Sequence, residues 1–236
     1  MNKNELSIIL LRPQMGENMG AAARVMQNFG LSDLRIVAPR DGWPNEAARS
    51  MATKAVTIID GAPVFETLAE AIADRQLVFA TTARERQGNK QAVEIGELRD
   101  LALPEKVAIV FGPERTGLEN EDIALADQIL YVTTSEENPS LNLAQAVAVV
   151  AYEWSRRTVD GSKGEADELA PKSELQGLFD HLEGELDKAD FWKVASKKPI
   201  MWQNLRNSLQ KARLNEQEVR SWRGVIRALC EYGKKS

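Results

Sequence analysis

The residues best placed to do chemistry lie between positions 107 and 154. An apolar run, VAIVF, breaks into GPERTGLEN, where Gly112 is followed by Glu114 and Arg115. A second apolar run, QILYV, breaks into TTSEENPS and then enters LNLAQAVAVVAYEW, so that Ser140 or Asn142 opens a helix. Gly112 follows a fully apolar strand, at a point where the backbone must turn sharply or approach a ligand closely. A helix start leaves backbone N–H groups free for a polar or anionic group, although Ser140 would serve equally as a plain N-cap. Glu114 and Arg115 either face a ligand or form a surface pair worth little. Ligands of open α/β sheets sit where strand ends release such loops, so these two loops form the expected ligand site.

One further polar residue stands out upstream. In AAARVMQNFG, Arg24 lies among Ala21, Ala22, Ala23, Val25, Met26 and Phe29, one turn into a helix that follows a Gly/Asn loop on a strand end. Its stem could pack while its head reaches water, or its guanidinium could serve the site. Several familiar chemistries are disfavoured, a nucleotide-utilising Rossmann enzyme remaining as a further alternative. GPERTGLEN lacks the Lys-Ser/Thr ending of a phosphate loop, and GENMG lacks the spacing of a dinucleotide fingerprint. With a single histidine, His181, and a single cysteine, Cys230, no zinc cluster is expected. A Ser-His-Asp triad would need His181, which falls in an acidic helical region and reads as a surface or packing residue. Cys230 reads as a small apolar residue in a helix, and no disulfide framework is possible within the chain.

The elements that must position these residues alternate. Strands are expected at 5–11, 34–37, 56–60, 77–83 and 107–111, and again at QILYV. Helices are expected over AAARVMQNFG (closed by Gly30), EAARSMATKA, VFETLAEAIAD, IGELRDLAL and the run from Leu141. RPQMGENMG and Pro39 to Pro44 read as loops. RERQGNKQ, with Arg84, Arg86 and Lys90, is either a solvated loop or a substrate-contacting one. Short-spaced strand–helix alternation means βαβ units and a parallel sheet covered on both faces. After Ser155 the composition turns to Gly, Ser, Pro and charge, a linker. A purely helical region follows, in which Asn215 and Glu218 form a capping box. There Val219, Trp222, Val225, Ile226 and Leu229 recur at helical spacing.

Charge is unevenly spread. The chain of 236 residues has a net charge of −5, yet from Lys197 to Ser236 ten Lys/Arg face three Asp/Glu, a net of +7, which leaves −12 for the rest. This basic end either meets an anion such as a phosphate backbone or is a solvated helical face. No apolar run approaches the roughly 18 residues that span a membrane. The start, MNKNELSIILLRP, is too short in its apolar core for a signal peptide. The reducing cytoplasm is the expected home.

NMGAAARVMQNFG, VFGPERTGLENEDI and NPSLNLAQAVAVVAYE, in that order, resemble the three motifs of the SpoU branch of the SPOUT methyltransferases over roughly residues 5 to 155. FDHLE…KARLNEQEVRSWRG is similar to the tail of the TrmJ group of that branch. The resemblance implies methyl transfer from S-adenosyl-L-methionine to a ribose 2′-hydroxyl of RNA. The expected target is tRNA at nucleotide 32 of the anticodon loop, with ribosomal RNA as the alternative substrate and a knotted, non-catalytic RNA-binding protein as the alternative role. It implies an α/β parallel-sheet SPOUT (α/β-knot) domain with a deep C-terminal trefoil knot, built from the loops at 111 to 118 and 132 to 142, plus a small all-helical C-terminal extension. Expected divisions are 1–157 for the methyltransferase domain, 158–172 for a linker and 173–236 for a helical RNA-binding part.

The family pattern places the cofactor against Thr81, Thr82, Ala83, Gly112, Val132, Ser140, Leu141 and Asn142, and catalysis on Asn18, Arg24, Glu114, Ser140 and Asn142. It needs no metal and no membrane. It implies a homodimer with the active site at the subunit interface, so that Arg24 comes from the partner subunit. A guanidinium deprotonates only above about 12. Arg24 is therefore expected to hold the phosphate beside the ribose and steady a developing alkoxide rather than to act as the base.

Overall fold

The computed structural model describes residues 5–82, 90–157 and 169–233. Among the described residues seven strands form one parallel sheet: β1 (Glu5–Leu11), β2 (Asp33–Val37), β3 (Val64–Phe65), β4 (Leu77–Thr81), β5 (Gln91–Glu94), β6 (Lys106–Phe111) and β7 (Gln128–Tyr131). Their order is β3-β2-β1-β6-β4-β7-β5. The central strands are apolar on both sides because both sheet faces are covered. Ile8 and Leu10 of β1, Leu77 and Phe79 of β4, and Val107, Ile109 and Phe111 of β6 point into one core. Ile9, Leu11, Val78, Ala80, Ala108 and Val110, the residues between or beside them, point into the other.

Helices α1 (Gly16–Asn28), α2 (Glu46–Ala52) and α3 (Val56–Gly61) pack on the first face. Two short helices, α4 (Leu68–Ala71) and α5 (Asn120–Leu125), cover the second. Helix α6 (Leu143–Ser155) returns to the first face and buries Val147, Val150, Ala151 and Trp154 there.

The architecture matches the expected α/β sheet with a helical end, and four local expectations are corrected. The segment 56–60 is helical: although Val56, Thr57 and Ile58 favour strands, the turn that buries Ala55, Ile59 and Ala62 at helical spacing wins. Val64 and Phe65 are strand, not the start of a helix. They pair with Ile36 and Val37, and α4 begins only after the capping box of Thr67 and Glu70. Residues 91–94 form the unexpected edge strand β5, and 95–100 form a 3-10 helix. Finally, GENMG is not loop but the first turns of α1. A Cβ on Gly20 would lie 2.3 Å from the Ala48 carbonyl oxygen, so glycine here serves close helix packing rather than a turn.

The end of the described chain is helical: α7 (Lys172–Lys188), α8 (Lys198–Lys211) and α9 (Glu216–Gly233). It has its own small core, including Leu175, Leu178, Phe179, Leu214, Val219 and Ile226, with Cys230 packed against it. The α9 apolar stripe is only half used, since Trp222, Val225 and Leu229 remain 46%, 48% and 68% exposed. The expected capping box holds: Asn215 Oδ1 accepts from the Glu218 amide at 2.9 Å, and Glu218 Oε2 accepts from the Asn215 amide at 2.8 Å.

These helices dock where strands begin. Lys172 Nζ donates to Asp127 Oδ1 at 2.6 Å, just before β7, and Gln76 Nε2 donates to the Leu169 carbonyl at 2.9 Å, just before β4. Lys90 Nζ, preceding β5, donates to the carbonyls of Ala124 (3.2 Å) and Ala126 (2.6 Å) and to Gln210 Oε1 of α8 (3.0 Å). Burial pushes the Lys90 ammonium down to about 8, although nearby Asp127 pulls the other way.

Candidate active site

The opposite ends of β4, β6 and β7 enclose a cavity of 290 Å³. Thr81 and Thr82 line it from β4, Phe111 to Leu118 from the loop after β6, and Leu130, Val132 and Thr134 from β7 and the loop beyond. Pro139, Ser140 and Leu141 close it before α6, whose Leu143, Ala146 and Val150 form the floor. Among the described residues a larger cavity, 490 Å³, lies at the strand beginnings, but its walls include charges of both signs such as Asp74, Lys106, Glu216 and Arg220. The strand-end cavity instead joins an apolar wall to neutral hydroxyls and two rim charges, Glu114 and Arg115, the make-up of a small-molecule site.

The sequence builds this cavity through short-range constraints. Thr81 Oγ1 donates to the Val110 carbonyl at 2.9 Å, and the Thr82 amide donates to the Leu130 carbonyl at 3.2 Å, so β4 ties the other two strand ends together. After β6 the chain folds back on itself. A Cβ on Gly112 would stand 2.5 Å from the Leu118 amide nitrogen, closer than backbone tolerates. Gly117 turns the loop with φ +67°, and its amide donates to the Pro113 carbonyl at 2.8 Å. The loop's far end is clamped from β1: Arg12 forms a fork with Asp122 at 3.2 and 2.5 Å, and Asp122 Oδ2 accepts from the Glu119 amide at 2.8 Å. The hydrogen bond with Asp122 holds the Arg12 guanidinium above its ordinary range, against the opposing effect of burial.

At the rim, three segments meet. Glu114 Oε1 accepts from Asn18 Nδ2 at 2.8 Å, and Glu114 Oε2 accepts from the Gln14 amide at 3.0 Å. Asn18 Oδ1 in turn accepts from Asn142 Nδ2 at 3.1 Å. Asn142 is the N-cap of α6: its Oδ1 accepts from the Ala144 amide at 2.9 Å, and Gln145 Oε1 accepts from the Asn142 amide at 3.1 Å. The choice of helix opener thus falls on Asn142, which leaves the Ser140 hydroxyl exposed in the cavity wall.

Of the residues expected at the site, Thr81, Thr82, Gly112, Glu114, Val132, Ser140 and Leu141 line the cavity. Asn18 and Asn142 stand beside it, joined to Glu114. Arg24 is not brought to it. It is exposed on α1, with no hydrogen bond or ion pair among the described residues. It lies six residues past Asn18, about 9 Å along the helix axis. Ala83, Arg84 and Arg86 lie outside the described residues. The sequence reading missed Pro113, Thr116, Leu118, Thr134 and Pro139 as wall residues, along with the Gln14 amide and the Arg12 clamp. The wall residues sit inside the two loops already singled out, whereas nothing local marks Gln14 or Arg12.

The molecule is a parallel α/β sheet protein with a strand-end cavity walled by the loops after β6 and β7, between a rim acid, Glu114, and the start of α6. The family model described as the SpoU rRNA Methylase family matches residues 5–152, and that for the C-terminal domain of the tRNA methyltransferase TrmJ matches residues 173–235. The chain belongs to the SpoU methylase family. Over 239 residues it is 32% identical to a tRNA (cytidine/uridine-2′-O-)-methyltransferase TrmJ of Photorhabdus laumondii, covering 98% of each chain. It is 44% identical over 153 residues to the tRNA (cytidine-2′-O-)-methyltransferase TrmJ of Methanocaldococcus jannaschii, covering 63% of this chain and 66% of that protein. The crystal structure of TrmJ from Z. mobilis ZM4 superposes with a TM-score of 0.85 at 45% identity, covering 94% of this chain and 98% of that one.

Proposed function

We propose that the protein transfers a methyl group from S-adenosyl-L-methionine to a ribose 2′-hydroxyl of tRNA, with nucleotide 32 of the anticodon loop as its target. The observation that carries this reading is the convergence of Asn142, Asn18 and Glu114, drawn from three distant segments, at the mouth of the strand-end cavity. The donor set suits the cofactor. Apolar Leu118, Val132 and Leu141 can face a flat base, the hydroxyls of Thr81, Thr82 and Ser140 can meet polar groups, and Glu114 offers its charge to a sulfonium. Bound there, S-adenosyl-L-methionine supplies the methyl group.

The chain's own residues do the rest. Gly112 and Leu141 shape the walls. Asn18 fixes Glu114, and Asn142 fixes Asn18 while holding the start of α6. Ser140 presents its hydroxyl to the incoming ribose. Arg24 supplies the guanidinium that holds the neighbouring phosphate and steadies the alkoxide that develops as the 2′-hydroxyl proton leaves to solvent water. Since α1 carries it away from its own cavity, Arg24 serves the cavity of the partner subunit in a homodimer. The loops at 111 to 118 and 132 to 142 are read as the sides of a trefoil knot, with α6 as the threaded segment. Residues 1–157 act as the methyltransferase domain and 173–236 as the RNA-binding part, the basic end meeting the phosphate backbone. No described helix is long and apolar enough to cross a membrane, and the work is assigned to the cytoplasm.

The test is methyl transfer from labelled cofactor to total tRNA and to ribosomal RNA, followed by mapping of the modified ribose. Label in tRNA at nucleotide 32 is expected. Label confined to ribosomal RNA would move the substrate, and no label in either would remove the catalytic reading.

A further inference from the structure

The turn between α7 and α8 carries an aromatic chain that the reaction centre does not use. Phe179, 2% exposed, is its root in the core. The Trp202 ring stands 6.3 Å from it at 90°, Trp192 stands 6.3 Å from Trp202 at 79°, and Phe191 stands 5.0 Å from Trp192 at 83°. Each ring meets the next edge-to-face, a favourable geometry for aromatic pairs. The chain ends at the surface with Phe191 42% exposed.

The backbone at Phe191 and the neighbouring Trp192 ring are both fixed by hydrogen bonds. The Phe191 amide donates to the Leu186 carbonyl at 3.1 Å, and Trp192 Nε1 donates to Asp187 Oδ1 at 2.6 Å. The Lys198 ammonium lies 5.7 Å from the Trp192 centroid and pairs with Asp187 at 2.7 Å, which neutralises that carboxylate. Lys193, whose amide donates to the Phe191 carbonyl at 3.0 Å, and Lys197, six residues past Phe191 in the same turn, are exposed and form no ion pair among the described residues. From Glu183 to Lys198 four lysines meet four acids; Lys188 pairs with Glu185 and Lys198 with Glu183 and Asp187, which leaves Asp190, Lys193 and Lys197 without ion pairs among the described residues, a net of +1.

A fixed, exposed ring face beside unpaired ammonium groups asks for a ligand with a flat apolar face and an anion next to it. An unpaired nucleotide has both, whereas a duplex hides its base faces. Resting on the RNA-methyltransferase reading, we propose that Phe191 stacks an unpaired base of the RNA substrate while Lys193 and Lys197 contact the adjoining phosphates. Because the ring is already in place, little conformational freedom is lost on binding.

The full-length protein is titrated with intact tRNA, an unstructured 15-nucleotide RNA and an RNA duplex of equal length. Phe191→Ala is expected to weaken binding of the unstructured RNA by about fivefold or more, with Phe191→Trp restoring it and duplex binding unchanged. The Lys193→Gln/Lys197→Gln double variant is expected to flatten the salt dependence of log affinity by about 1.4, the single-strand value for two phosphates. Circular dichroism and cofactor affinity report that each variant is folded. Equal affinity of Phe191→Ala and wild type, or an equal loss on the duplex, overturns the proposal. So does a change of oligomeric state at constant RNA affinity, which would make the ring a contact between copies. Failure of the wild type to bind tRNA at all would instead overturn the function on which the proposal rests.

Discussion

Asn18 and Glu114 are 96 residues apart in the chain and 2.8 Å apart in the fold. The contact exists because β1 and β6 are neighbours in parallel register, Leu10 beside Phe111, so that the loops leaving both strands emerge together. Asn18 donates to Glu114 with its amide nitrogen and accepts from Asn142 with its amide oxygen, so its carboxamide serves both directions, which a carboxylate of the same shape cannot.

Asn18→Asp is therefore expected to be worse than its size suggests. It removes the donor and sets a second carboxylate against Glu114. The expected loss in kcat/KM for methyl transfer is about tenfold to a hundredfold, from a hydrogen bond to a charged group worth about 1.5–3 kcal/mol. Cofactor affinity should change little. Kinetics on tRNA alongside calorimetry with the cofactor check this, and an unaltered kcat/KM would remove Asn18 from the working site.

Gly112→Ala should act on the cofactor instead. The new methyl would meet the Leu118 amide nitrogen at 2.5 Å, so the 113–118 loop must shift outward. Overpacking of this kind costs about 1–3 kcal/mol. Cofactor dissociation constants measured by calorimetry are expected to rise about tenfold, while the sheet's circular dichroism stays unchanged.

Arg24 separates charge from geometry. Arg24→Lys keeps the cation but loses the two-pronged contact with phosphate, and turnover is expected to fall at least about tenfold with RNA affinity reduced less. Near-wild-type turnover would falsify the positioning role. Mixing Arg24→Ala with Glu114→Ala subunits tests the partner arrangement. Mixed dimers should recover activity in one of their two sites, whereas each variant alone stays inactive.

Lys90 gives the pH dependence. Its ammonium titrates at about 8 in the fold and near about 10.4 in the unfolded chain. Between these values the unfolded chain holds a proton that the folded one has released, so stability rises with pH across that window. Below about pH 8 both forms are charged and the cost of burial is present in full. The melting midpoint of the wild type should therefore rise from pH 8 to pH 10 relative to Lys90→Met. Parallel curves would sink the assignment.

Much of the fold was legible because its signals are local. The two-faced apolar strands β1, β4 and β6 read directly from runs such as SIILL and VAIVF, and the N-cap Asn215 from Glu218 three residues on, whereas the choice between Ser140 and Asn142 was settled only by the fold. The errors fell where tertiary contact overrode local preference. Val56 to Gly61 became helix to bury Ile59, and Val64 became strand because Ile36 offered it a ladder. From the residues alone the candidate site was legible as two loops, while the grouping of Asn18, Glu114 and Asn142 came from the family resemblance. Strand order sets which loops touch, so the meeting of Glu114 with the Gln14 amide, or of Arg12 with Asp122, has no local mark.

The helical end docks at the starts of β4, β5 and β7, and the cavity opens at the finish of β4, β6 and β7. Five residues of β4 separate the two, a rigid span of about 17 Å. The sheet thus works as a yardstick. On the proposed reading, an RNA held by helices and cavity together must span at least that distance, so its reach would be tested before a single base is read.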